Sequence, residues 1–252
     1  MVRTLLVRGM LVGILAGLLS FGFLRVYGEP QVDRAIAFEA QLDEAKAAAE
    51  KTKGMNTPDE EQPELVSRPV QAGIGLFTAV MVYCTAFGGL FGLAFAFAYG
   101  RVDGALTPQG VSTLLAATGF VAIYLVPNLK YPANPPSVGE PETIGIRTAL
   151  YFIMIAISIA AMVGSVTLKR LFVPRIGEWN ANLAAVACYI VLVAVAGLLL
   201  PPVNEVPEQF PAVVLWKFRI ASIGAQFIMW ATIGLLFGAL TQRALAGNRL
   251  QA

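Results

Sequence analysis

The sequence contains no histidine among its 252 residues, and this absence excludes several kinds of catalytic and metal site. Without imidazole, the chain cannot form a Ser-His-Asp triad, a zincin-type protease site or a His-ligated haem site. Its two cysteines, Cys84 and Cys188, have no paired spacing, so neither a disulfide framework nor a structural zinc site is expected. No P-loop, other nucleotide motif or catalytic motif is visible. We therefore predict a chain that is not an enzyme, binds no nucleic acid and holds no permanently bound cofactor.

Charge is also scarce, because charged residues make up 13% of the chain whereas apolar residues make up 57%. Soluble domains carry roughly 25% charged residues, so this composition predicts a protein embedded in a lipid bilayer. Apolar runs of about 20 residues cross a bilayer as helices. Six such runs occur, at 5–24, 70–99, 110–127, 148–168, 181–200 and 212–240. The predicted fold is all-α, a single multi-pass domain over 1–252 with a six-helix transmembrane bundle, although five to seven spans are possible.

The distribution of lysine and arginine predicts the orientation of this bundle. One set of connecting segments carries only two acids beside eight cations: Arg3, Arg8, Arg101, Lys169, Arg170, Arg175, Arg243 and Arg249. These segments and both termini are expected in the cytoplasm of a bacterium, with the chain in its cytoplasmic membrane. The first run lacks an A-x-A-type cleavage site and is expected to remain as a helix. Residues 25–69 then form an acidic extracytoplasmic loop, predicted as a helix over about 30–53 and a proline-containing tether over 55–69.

Small residues four positions apart mark places where membrane helices approach closely. Seven glycines follow this spacing in the first, second and last runs: Gly9, Gly13, Gly17, Gly88, Gly92, Gly234 and Gly238. We predict that they serve helix packing; the alternative is a narrow pathway that needs close backbone approach.

Two polar stripes lie on helix faces within the apolar runs. Gln71, Thr78 and Thr85 share one face of the second run, and Arg219, Ser222 and Gln226 share one face of the last. The stripes could line a hydrated route or bond to each other across a dry interface. In addition, Met81 and Cys84 are candidate soft metal ligands, although such residues more often serve packing.

The two cations inside the last run have different expected roles. Lys217 points away from the polar stripe, so its side chain is expected to extend outward to the membrane surface. Arg219 shares the stripe and is expected to face the bundle, paired with Glu29, Asp33, Glu205 or Glu208. Glu29 is the favoured partner because Pro30 is expected to fix a turn directly after the first span. The alternative is that Arg219 serves only as an interfacial anchor.

Three segments carry a resemblance to a known family: "RVYGEPQVDRAIAFE" (25–39), "YGR" (99–101) and "FPAVVLWKFRIASIGAQFIMWATIGLLFG" (210–238). Together they resemble the CbtA family of proposed cobalt transporter subunits, which is usually described with about five spans. The resemblance implies a multi-pass component of a cobalt uptake system that works with a small, single-span partner protein bearing histidines. It points to the following residues of this chain: Gly28, Glu29, Pro30, Asp33, Glu39, Phe210, Pro211, Trp216, Arg219 and Gln226.

The residues are compatible with cobalt(II) as the transported ion, because this ion accepts carboxylate, imidazole and water ligands. The candidate cation ligands are five acids of the outer face: Glu29, Asp33, Glu39, Glu205 and Glu208. A histidine-bearing partner would add the imidazole that this chain lacks. The alternative function is a non-transporting scaffold or regulatory subunit of a separate permease, and a membrane enzyme ranks third.

Overall fold

The computed structural model describes residues 2–52, 66–101, 106–136 and 138–249. Within these ranges every regular element is a helix, which confirms the all-α prediction. Five helical segments are long and apolar enough to cross a membrane: Val2–Ala45, Arg68–Ala98, Pro108–Lys130, Pro141–Leu199 and Ala212–Ala246. The prediction of a multi-pass helical membrane protein is therefore confirmed, and the third run, the shortest, is a helix of sufficient length.

The longest element, α7 (Ile144–Leu199), folds back on itself at Gly177. Gly177 has a φ of 77°, a conformation that glycine adopts without steric cost, and Pro174 lies shortly before it. The hydroxyl oxygens of Ser158 and Tyr189 are 2.8 Å apart although 31 positions separate the two residues. In a straight helix they would lie about 46 Å apart. The two arms of this hairpin correspond to the predicted runs at 148–168 and 181–200. The five segments therefore account for all six predicted runs, because one segment contains two of them.

The first helix does not end where the sequence predicts. α1 (Val2–Phe23) continues through a π-helical turn, Leu24–Gly28, into α2 (Glu29–Thr52). The expected turn at Pro30 is therefore absent. In a regular α-helix, the ring of a proline collides with the carbonyl group four positions earlier. The wider π-helical turn displaces that carbonyl group, so the helix passes through Pro30 without a break.

The second and third spans contain the same kind of wider turn. The short α3 (Arg68–Val70) leads through a π-helical turn, Gln71–Gly75, into α4 (Leu76–Ala98), so this span begins two residues earlier than predicted. The predicted tether at 55–69 lies mostly outside the described residues. α5 (Pro108–Gly119) likewise leads through Phe120–Leu125 into α6 (Val126–Lys130), and α8 (Ala212–Arg249) completes the bundle.

Helices α1 and α4 pack with their backbones in contact along the predicted glycines. A Cβ atom on Gly9 would overlap the carbonyl oxygen of Gly88, and one on Gly92 would overlap that of Leu5. Helices α5 and α8 approach in the same way, since Gly234 faces Ala116. Gly13, Gly17 and Gly238 also lie at these two interfaces, against Cys84, Met81 and Ser112. Aromatic side chains fill the core between the two pairs of helices: Phe91, Phe95, Trp230 and Phe237.

The charged residues collect at two opposite ends of the bundle. At one end, Arg8 donates to the Thr241 hydroxyl (3.0 Å), and Arg170 donates to the carbonyl oxygen of Arg101 (2.9 Å). At the other end lie ion pairs that join Arg68 to Glu29 and Asp33, and Arg147 to Glu205. Between the ends, large apolar side chains are exposed around the bundle, as expected for a surface in contact with lipid. We call the end that carries Arg68 and Arg147 the outer end, after its predicted orientation.

Candidate functional site

Two carboxylates and one guanidinium form an ion-pair cluster at the outer end, where α2 meets the start of α3. Glu29 and Asp33 lie one helical turn apart, so both side chains point to the same side of α2. Asp33 accepts from Nε and Nη2 of Arg68, at 3.0 and 2.8 Å, and Glu29 accepts from the same Nη2. Pro69, which follows Arg68 in the first helical turn, holds the backbone that carries this guanidinium. We call Glu29, Asp33 and Arg68 the carboxylate clamp.

The carboxylate clamp has the chemistry of a cation site that is occupied by a side chain. Glu29 is only 7% exposed, so its charge requires a counter-ion, and Arg68 supplies one. A divalent cation that enters the clamp must take over this role from the guanidinium. Within the described ranges no three Cys, Asp or Glu residues come close enough to hold a metal ion. The clamp can therefore supply two ligand groups, and water or another chain must supply the others.

A cavity of about 400 Å³ lies deeper, between α1, α4 and α8. Its wall includes the sulfur-bearing residues Cys84 and Met229 and the polar residues Ser20, Tyr83 and Gln226. The amide nitrogen of Gln226 donates to the Tyr83 hydroxyl (3.4 Å), whereas its buried amide oxygen has no hydrogen-bond partner. Since an α-helix rises 1.5 Å per residue, Ser20 lies about 13 Å below Glu29 along the same helix. The cavity thus offers sulfur and oxygen acceptors beneath the carboxylate clamp.

The polar stripe of α8 faces the interior of the protein. Ser222 shares a hydrogen bond with the buried Tyr124 (2.8 Å), and Gln226 bonds to Tyr83 as described. The stripe of the second span behaves differently. Gln71 donates to the carbonyl oxygen of Val66 (2.7 Å), Thr78 is exposed, and Thr85 is half-buried against α1. In the part of the chain that the structure describes, no hydrogen bond joins the two stripes.

Arg219 faces the bundle, but its predicted pairing with an acid is wrong. Its Nε atom donates to the carbonyl oxygen of Ala133 (3.3 Å), and Nη2 donates to the side-chain oxygen of Asn134 (2.8 Å). Two of the expected partners, Glu29 and Asp33, bind Arg68 instead. Proximity in sequence to an apolar run did not decide the pairing; the position of each element around the bundle did. Lys217 is exposed, in agreement with its predicted outward direction.

Glu205 belongs to a separate cluster on the loop before α8. It accepts from the backbone N–H of Glu140 (2.9 Å) and lies 3.4 Å from Nε of Arg147. The hydroxyl group of Thr143, the Glu140 amide and the charge of Arg147 lower the pKa of Glu205 below its ordinary value. Its carboxylate is therefore ionised at neutral pH and already engaged.

The five predicted cation ligands consequently do not form one site. Glu29 and Asp33 meet in the carboxylate clamp, Glu205 pairs with Arg147, and Glu39 and Glu208 are exposed. Met81 and Cys84 both face α1, and Cys84 also lines the cavity between α1, α4 and α8.

Sequence reasoning did not single out Arg68 or Arg147. Both stand within the first turn or two of an apolar helix, on the side that carries most of the acids. An arginine in that position is a recognisable signal for an ion pair at the membrane surface. The acids that Arg68 binds, however, lie on another helix, 35 and 39 positions away along the chain.

The fold and these sites define a multi-pass α-helical membrane protein with an ion-pair cluster at one end and a basic opposite end. The chain belongs to the family of probable cobalt transporter subunits (CbtA), whose family model matches residues 2–242, nearly its whole length. Comparison with curated proteins and with solved structures returns no match.

Proposed function

We propose that the chain is the membrane subunit of a cobalt(II) uptake system in the bacterial cytoplasmic membrane, with both termini in the cytoplasm. In this proposal the carboxylate clamp receives the ion at the outer surface. The single observation that carries the assignment of the site is the pairing of both Glu29 and Asp33 with the guanidinium of Arg68. Family membership supplies the substrate class.

In the proposed mechanism, a metal ion replaces the guanidinium of Arg68 between the two carboxylates of the clamp. Without a metal ion, Arg68 offsets one of the two negative charges and occupies the position between the carboxylates, so that weakly bound ions are kept out of the clamp. Cobalt(II) accepts carboxylate and water ligands, and its double positive charge competes with the single charge of the guanidinium. Once displaced, Arg68 can return only when the ion leaves, so its return favours release from the clamp.

The deeper cavity offers the next position for the ion. Its Gln226 amide oxygen lacks a hydrogen-bond partner, and Cys84 provides a thiol nearby on the wall. An inside-negative potential of about 100 mV favours inward movement of a divalent cation by roughly 4.6 kcal/mol, twice the value for a single charge. This driving force requires no nucleotide, in keeping with the absence of a nucleotide motif.

The incomplete ligand set supports a second protein in the system. Two carboxylates do not satisfy cobalt(II), and the chain has no imidazole to add. We infer that a small single-span subunit supplies histidine ligands at the clamp.

Uptake of radioactive cobalt(II) into proteoliposomes tests the proposal, with the chain alone and together with the small subunit. The double variant Glu29→Gln/Asp33→Asn should lose most uptake. The matched control, Glu39→Gln/Glu208→Gln, removes the same number of charges from exposed positions and should retain it. Wild-type uptake by the clamp variant would contradict the assignment of the site.

A scaffold for a separate permease is the second candidate, and the α7 hairpin favours it. Only 11% of the most apolar 18-residue stretch of this segment is buried within the chain, so this stretch presents an apolar surface that another membrane protein could cover. Proteoliposomes that contain only the chain and the small subunit separate the two functions, because a scaffold without its permease gives no uptake.

A further inference from the structure

A second cavity, of about 440 Å³, lies at the outer end of the bundle, between α6, the first arm of α7 and the start of α8. It is separate from the carboxylate clamp. Its wall carries two arginines, Arg147 and Arg219, beside a single acid, Glu205. Three tyrosines complete one side of it: Tyr124, Tyr131 and Tyr151. The composition is the reverse of a cation site, since positive charge exceeds negative charge.

The segment that binds Arg219 is itself held in place by buried groups. Asn128 is 5% exposed, and its side-chain oxygen accepts from the backbone N–H of Ala133 (3.2 Å). The Tyr131 hydroxyl donates to the carbonyl oxygen of Pro201 (2.9 Å), which joins this segment to the loop before α8. The guanidinium of Arg219 is therefore directed by a fixed frame, and its orientation does not depend on a bound ion.

Arg219 lacks a counter-ion in this frame, and Arg147 keeps one N–H group free although it pairs with Glu205 and donates to the carbonyl oxygen of Glu140 (3.2 Å). Arg219 binds only neutral oxygens, and no carboxylate among the described residues pairs with it. Arg147 shares the carboxylate of Glu205 at 3.4 Å, but its buried Nε atom has no hydrogen bond of acceptable geometry. Lys130 does not line the cavity, but its ammonium group lies 5.7 Å from the centre of the ring of Tyr131, which does. A half-buried guanidinium without a counter-ion is unfavourable, and an anion that enters the cavity removes this cost.

We propose that this cavity binds the oxyanion group, carboxylate or phosphate, of a small organic ligand or lipid, with Arg219 as the principal contact and Arg147 as the second. Guanidinium groups suit both anions because their N–H groups form a planar fork. The tyrosine rings give the ligand an apolar surface beside its charge.

Two sources can supply this chemistry. One is a soluble organic acid or phosphate outside the membrane. The other is the headgroup of an anionic phospholipid, whose chains would lie on the exposed side chains of Ile144 and Phe152 at the edge of the cavity. The oxyanion contact is the same in both cases.

Binding to the purified full chain distinguishes these sources. In uncharged detergent at constant ionic strength, calorimetric titration with inorganic phosphate and with citrate tests the soluble source. Native mass spectrometry after exchange into nanodiscs of phosphatidylglycerol or phosphatidylcholine tests the lipid source. We expect at least one anionic probe to bind, and Arg219→Gln to weaken it by about tenfold or more, which corresponds to loss of one charged contact.

Matched variants separate a specific site from a general charge effect. Lys217→Gln removes the same charge from an exposed position two residues away and should leave binding unchanged. Glu205→Gln removes the competing carboxylate and should tighten binding several-fold. The proposal would be overturned if no anionic probe binds, if wild type and Arg219→Gln bind equally, or if Arg219→Gln and Lys217→Gln lose binding equally. Because these assays measure no cobalt movement, their outcome is independent of the proposed uptake function.

Discussion

Replacement of Arg68 by glutamine tests whether the guanidinium competes with the metal ion for the carboxylate clamp. In the wild-type chain, an entering cation must first break the bonds from Arg68 to Glu29 and Asp33, and this cost lowers its affinity. The Arg68→Gln variant removes the competitor while both carboxylates remain. We therefore expect tighter cobalt(II) binding and slower turnover, because the return of Arg68 no longer assists release.

The size of the expected change in cobalt(II) affinity follows from how exposed the three side chains of the clamp are. Loss of one partner of a fully buried ion pair costs about 3–5 kcal/mol, whereas exposed pairs are worth about 0–1 kcal/mol. The side chain of Arg68 is 25% exposed, that of Glu29 8% and that of Asp33 61%, so the cluster lies between these limits. A value of about 1–2 kcal/mol in affinity corresponds to roughly a tenfold change in the dissociation constant.

Two measurements and one control variant check this prediction. Equilibrium dialysis with radioactive cobalt(II) should give about tenfold tighter binding for Arg68→Gln than for wild type. Thermal unfolding without metal should show a lower melting temperature for the variant, since the carboxylates lose their counter-ion, and added cobalt(II) should restore it. Arg68→Lys keeps the charge and should behave more like wild type. Weaker cobalt(II) binding by Arg68→Gln would refute the competition and make Arg68 a structural residue of the site.

Four further predictions concern other parts of the molecule. Gly88→Leu should prevent recovery of folded protein from detergent extracts, because its side chain would overlap the backbone of α1. A single cysteine at Ala45, in a chain without other cysteines, should react with an impermeant reagent in intact cells; reaction only after lysis would reverse the orientation. Neutralisation of the exposed Asp43 and Glu44 should raise the apparent KM for uptake at low salt and have little effect at high salt, since ions screen surface charge. For Glu205, the lowered pKa means that its ionised form stabilises the fold above its ordinary value of 4.5, and this contribution is lost as pH falls through the lower folded value. The melting temperature of Glu205→Gln should accordingly lie below wild type at pH 7, and the difference should shrink below about pH 4.5.

The sequence predicts the parts of this fold that depend on local composition. Continuous apolar runs require helices in a bilayer, and small residues such as Gly9 and Gly88 permit helix backbones to touch. These interactions lie within one run or follow from one spacing. For that reason the membrane class, the helix positions and the glycine contacts could be predicted from the sequence.

The ion pairs could not be predicted from the sequence because they depend on how the helices are arranged around the bundle. Arg219 was expected to bind an acid, yet it donates to the carbonyl oxygen of Ala133 and the side-chain oxygen of Asn134. Arg68 binds Glu29 and Asp33, two of the four acids that were named as partners of Arg219. A charge at the membrane surface has several groups within reach, and a single sequence does not show which helices are neighbours.

The course of the chain departs from the sequence-based prediction at Pro30 and agrees with it at Gly177. Proline is expected to end a helix, but a π-helical turn before Pro30 allows the helix to continue. At Gly177, by contrast, the backbone reverses between the two separately predicted runs, 148–168 and 181–200. In both cases the deciding factor is a backbone conformation of a few residues.

The uninterrupted helix from Val2 to Thr52 gives the protein a rigid connection between its two ends. At 1.5 Å per residue it is about 75 Å long, roughly two and a half times the thickness of the hydrocarbon core. Phe38 packs against Phe210 on the outer loop, and the helix continues beyond this contact, away from the membrane. Another protein that binds the distal part of α2 would therefore be connected to the carboxylate clamp through a continuous helix. Glu29 and Asp33 lie directly above the π-helical turn on this same helix, so the two carboxylates of the clamp move together with the rest of α2.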